Sequence, residues 1–165
     1  MIDFTPDFLK SALLLWDNGS ELEAGRLIYE NLTQETRPKW ASNILKLVVA
    51  RSGVRHPSVE RVLQISEHQT EWHYAHDAFS SIRDAILELD HVNELTSSQR
   101  LLVRVLELSE IVAKVIYNAT DPPDEFDEDS GWWVAESLRG FVEMWEDAAF
   151  SKAAWVALAF QFQSQ

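Results

Sequence analysis

The chain has 165 residues, enough for one domain that buries roughly 70% of the surface its unfolded form would expose. Hydrophobic residues make up 46%, with 7 Trp and 8 Phe, a supply of large apolar side chains that excludes disorder and requires a core. Cysteine is absent, which excludes disulfides, zinc knuckles and thiolate nucleophiles; the formal charge of −13, from 27 acidic against 14 basic side chains, argues against nucleic acid as a direct ligand.

Helix starts are read from side-chain oxygens that can accept first-turn N–H groups, or from a proline in the first turn. Thr5-Pro6 opens a helix that runs to Trp16 and is stopped by Asp17-Asn18-Gly19. Ser20 with Glu23 has the capping-box spacing and opens a second helix, to Leu32. Pro38 opens a third, carrying Trp40, Ile44, Leu45, Val48 and Val49 until Ser52-Gly53; Pro57-Ser58 opens a short fourth through Val59, Val62, Leu63 and Ile65.

The fifth is the cleanest, because Trp72, Ala75, Phe79, Ile82, Ile86 and Leu89 recur at the three- and four-residue spacing that lines one helix face. Thr96 and Gln99 form another capping box, and the helix behind it is apolar on more than one stripe. Leu101, Val105, Leu108, Val112 and Val115 make one stripe, with Leu102, Leu106 and Ile116 beside it, so this sixth helix is expected at the centre. Residues 119–131 then form an acidic, proline-containing loop. Beyond it Trp133 or Val134, Leu138, Phe141 and Trp145 predict a helix, and Trp155, Leu158 and Phe162 a last one.

No segment has the alternating pattern of a strand. The expected fold is therefore all-α: a single domain, 1–165, built as a compact antiparallel bundle of helix hairpins with seven or eight helices. A faint 32-residue repeat offers an alternative, since Phe8, Trp40 and Trp72 recur at that interval with Leu15, Leu47 and Phe79 seven residues further on. That period suits a short solenoid of tetratricopeptide- or HEAT-like helix pairs, although the small and aromatic residues such repeats require are not met.

No basic start with an apolar run opens the chain, and no apolar stretch reaches the ~18 residues of a membrane span, so neither secretion nor a membrane is expected. With no cysteine, a reducing, cytoplasmic setting fits best.

Four of the five histidines lie between His68 and His91, and His73-x-x-His76-Asp77 places three potential metal ligands at spacings of three and four on one helix. The His76-Asp77 dipeptide resembles the pair that names a family of helical metal-dependent phosphohydrolases, which would imply a metal-dependent hydrolase. The family's other ligands are not matched, because His56 precedes a proline and Asp121 falls in the loop. Ordinary surface histidines are the expectation, with His73, His76 and Asp77 the only metal candidates and no cofactor called for. Nucleophilic catalysis has no motif: there is no Gly-x-Ser-x-Gly, and five glycines leave little from which to build a phosphate loop.

The most informative segment is the acidic one. Net charge is −1 over residues 1–53, −4 over 54–118 and −8 over 119–165. Six acids, Asp121, Asp124, Glu125, Asp127, Glu128 and Asp129, precede Ser130-Gly131-Trp132-Trp133 with no intervening base. A concentrated negative field steers a basic partner, and aromatics dominate interface hot spots. The plainer alternative is that acids complement the dipole of the helix that follows, with one tryptophan facing the core. Trp132, which cannot share Trp133's face, is the expected contact residue. The function expected is a non-catalytic protein-interaction domain facing a basic protein, for instance an immunity-type neutraliser of a nuclease. A helical-repeat adaptor is the alternative.

Overall fold

A computed structural model of the chain describes residues 7–120 and 129–145, and every regular element within them is helical. In chain order these are α1 (Asp7–Asp17), α2 (Glu21–Asn31), α3 (Thr36–Ser52), α4 (Pro57–Glu67), a 3-10 turn (Gln69–Tyr74), α5 (Ala75–Asp90), α6 (Ser97–Asn118) and α7 (Ser130–Trp145). The helix expected around Trp155, Leu158 and Phe162 lies outside the described residues.

Local chemistry explains the boundaries. The Thr96–Gln99 capping box forms as read: Gln99 N donates to Thr96 Oγ1 at 3.1 Å, and Thr96 N donates to Gln99 Oε1 at 2.9 Å. At α2 the same spacing does not produce a box. Ser20 sits at φ −103°, ψ 51° with no side-chain cap bond, and Glu23 instead accepts from Arg26 one turn on, at 3.3 Å. The Ser20 N–H that a box would present to Glu23 is already used, donating to Leu15 O at 2.7 Å.

α3 begins before Pro38, at Thr36, whose N–H donates to Thr33 Oγ1 at 3.2 Å. It ends at Gly53, which adopts φ 70° and donates to Val49 O at 2.9 Å, the left-handed stop that glycine tolerates best. α4 is capped by His56. The residue before a proline is pushed to extended geometry, here φ −152°, ψ 135°, which is also cap geometry, and its Nδ1 accepts from Ser58 N at 3.2 Å. Trp72 belongs to the 3-10 turn rather than to α5, so the apolar stripe read through 72–89 is split between two elements. Its burial holds nonetheless: Trp72 is 3% exposed and donates Nε1–H to Ser66 O at 3.3 Å.

α6 is the central helix. Val105, Leu106, Leu108, Val112, Ala113, Val115 and Ile116 are all buried, and the helix packs against α3, α4, α5 and α7. Each fully buried Leu, Ile or Val contributes about 1.5–3 kcal/mol, so this helix alone organises a large share of the core. Trp40 of α3 is wholly buried against the same interior. The remaining hairpin, α1 and α2, is joined to the rest through α7, which packs most extensively on α2.

The packing decides between bundle and solenoid. In a solenoid each unit touches only its sequence neighbours, whereas here α7 returns to α2 and α6 to α3. The 32-residue rhythm has no structural counterpart either: Leu47 is exposed where Leu15 and Phe79 pack on the core. The chain is an all-α bundle.

Candidate acidic and aromatic interaction site

The contact between α2 and α7 fixes where the acidic segment ends. Gly131 lies so close to α2 that a Cβ added to it would fall within 3.0 Å of both Tyr29 Cβ and the Gly25 carbonyl oxygen. Tyr29 is held in turn by Arg37, which donates Nε–H to the Tyr29 carbonyl at 2.8 Å and places its guanidinium 4.4 Å from the ring centroid. Val134, Ala135, Leu138 and Phe141 continue the buried face of α7.

Asp129 precedes the helix and Trp133 N donates to its carbonyl at 3.0 Å, so its carboxylate sits where the helix dipole favours negative charge. That carboxylate is also engaged by the chain itself, since Arg26 Nη2 donates to Asp129 Oδ1 at 2.6 Å. This bond, followed by the nearby Glu23 and Glu30, outweighs desolvation and raises the pKa of Arg26. Asp129 therefore straps the end of the acidic segment to α2. Asp121, Asp124, Glu125, Asp127 and Glu128 lie outside the described residues.

The tryptophans divide differently from the sequence expectation. Trp132 is partly buried, and Trp133 is the more open of the two, at 50% exposure; the rings meet edge to face with centroids 4.8 Å apart. Sequence spacing left Trp133 and Val134 as alternatives for the core position, and Val134 takes it. That choice turns the Trp133 indole outward. The signal was present in Val134, Leu138 and Phe141, whose four- and three-residue spacing needs no tryptophan.

The histidine cluster does not converge. His73 is in the 3-10 turn and His76 and Asp77 are at the start of α5, all three exposed. His73 lies against Tyr74, ring centroids 3.9 Å apart, and His76 against Tyr117 across the α5–α6 contact, at 5.2 Å. Among the described residues no three histidine or carboxylate side chains gather as a metal site would require. Also among the described residues, no helix is long and apolar enough to cross a membrane. No protein-family model, curated protein or solved structure matches the chain.

Proposed function

We propose that this chain is a non-catalytic protein-interaction domain that presents acidic and aromatic surface, at the junction leading into α7, to a basic protein partner. The observation that supports it best is the half-exposed indole of Trp133 four residues after Asp129, the last of six acids in nine residues. An amphipathic ring beside a negative field is what a basic surface with an apolar centre would use. Asp129 serves this reading as an anchor for the segment, with Asp121, Asp124, Glu125, Asp127 and Glu128 as the groups that meet the partner and Trp133 joining Trp132 as a contact. A neutraliser that covers the positive nucleic-acid groove of a nuclease is one concrete form, and a cytoplasmic setting suits a chain without cysteine.

The test is capture from a native lysate with two baits: the wild type, and a variant with the acids of 121–129 changed to Asn and Gln. A basic protein retained by the first and lost from the second is the expected result. Equal retention by both would refute electrostatic recognition through this segment.

A further inference from the structure

A groove of about 210 Å³ separates α6 from α7, lined by Arg104 and Glu107 on one side and by Glu136, Arg139, Gly140 and Glu143 on the other. A glycine shapes it. An interior helical glycine costs about 1 kcal/mol relative to alanine, so its presence needs a reason. At Gly131 the reason is close backbone approach. At Gly140 there is none of that kind, because an added Cβ would meet only the terminal Nη1 of Arg104, at 2.8 Å. The missing side chain leaves room for Arg104 to lie across α7 and keeps the groove open.

The lining favours a cation. Arg139 donates to both carboxylate oxygens of Glu136, at 2.8 and 3.0 Å, so those two charges satisfy each other. Among the described residues that line the groove, Arg104 is then the cation left facing Glu107 and Glu143. Burial pushes the Glu107 carboxyl above the ordinary carboxylate range, with Arg104 opposing and Glu110 and Asp90 adding to the rise. A carboxylate in that position gains from an additional cation. The apolar shoulders are on the same helix face: Trp133, Ser137, Gly140 and Met144 follow at spacings of four, three and four, and Trp133 and Met144 are both exposed. They stand roughly 10 and 6 Å along the axis on either side of Gly140.

Building on the function proposed above, we propose that this groove seats an arginine side chain of the basic protein partner, its guanidinium among the groove carboxylates and its flanking residues on Trp133 and Met144. Arginine suits the site because its planar head is weakly hydrated and can bridge two carboxylates at once.

The experiment titrates isotope-labelled full-length protein with a short alternating arginine–alanine peptide, and with its citrulline counterpart, following backbone resonances residue by residue. Saturable shifts at 104, 107 and 136–143 that vanish with citrulline are expected. Glu107→Gln should weaken the peptide about fivefold. Gly140→Ala should weaken it similarly while raising the thermal midpoint, because the methyl both fills the groove and improves the helix. Loss of binding with a gain in stability separates a site from a structural defect. Shifts confined to 121–133, or unchanged affinity in Gly140→Ala, would overturn the groove and leave the proposed function standing. No saturable shift anywhere would overturn both.

Discussion

Replacing Gly131 by alanine puts a methyl group where α2 and α7 cross. The obstacles are Tyr29 Cβ, fixed to its own backbone, and the Gly25 carbonyl oxygen at 2.6 Å from the new atom. Neither can swing aside as the end of a long side chain could. Relieving the closer of the two, Tyr29 Cβ, to ordinary contact at about 3.4 Å requires the helices to part by roughly 1 Å, which loosens a closely packed interface along its length. Overpacking of this kind costs about 1–3 kcal/mol, and the small helix-propensity gain of alanine in a first turn does not offset it. In a chain of this size the thermal midpoint should fall by about 2–4 °C per kcal/mol. Urea unfolding followed by circular dichroism measures the change directly, with Gly140→Ala as the matched control on the same helix. A Gly131→Ala variant as stable as the wild type would refute the close α2–α7 crossing, and with it the placement of the acidic segment's end.

Thr96→Ala removes one half of the capping box at α6 and should cost about 1 kcal/mol by the same unfolding measurement, while Ser20→Ala should cost little because no side-chain cap bond forms there. Similar losses for both would mean that α2 is capped in solution after all. Glu107 gives a pH signature. Its folded-state pKa is raised, chiefly by burial, so the folded chain holds that proton more tightly than the unfolded one. The group therefore lowers stability as pH climbs from the ordinary carboxylate value through the raised one, and the loss persists above it. Glu107→Gln should raise stability at neutral pH and flatten the profile in that window, by no more than about 0.5 kcal/mol because the side chain is partly in solvent. Destabilisation at neutral pH would show that the carboxylate is supported rather than strained.

The helical architecture was legible because its signals are local and redundant. The Thr96–Gln99 box, the Gly53 stop and the multi-sided apolar pattern of 101–116 each point the same way, and each is found. Misreadings arose where a competing partner or a packing choice decides. The Ser20 N–H that Glu23 would cap is taken by the Leu15 carbonyl at the end of the preceding helix, and His56 could have been read as a cap from the proline behind it. The Trp72 stripe fits a helix by spacing alone, and only the chain's path distinguishes a 3-10 turn that buries the same indole.

At the site, composition located the acidic run and the paired tryptophans but could not assign their roles. Which indole faces out depends on whether Val134 or Trp133 enters the core. The fate of Asp129 depends on an arginine 103 residues away in sequence. The Gly140 groove was invisible for the same reason, since a lone helical glycine carries no hint of what lies across from it.

Ionic strength tests electrostatic recognition most directly. The affinity for the captured partner should be measured at about 0.1 M and about 1 M salt, across which the screening length shrinks from about 10 to 3 Å. Wild-type binding should weaken sharply, and the variant with 121–129 neutralised should start weaker and respond far less. Equal salt dependence in the two proteins would contradict recognition through the acidic segment.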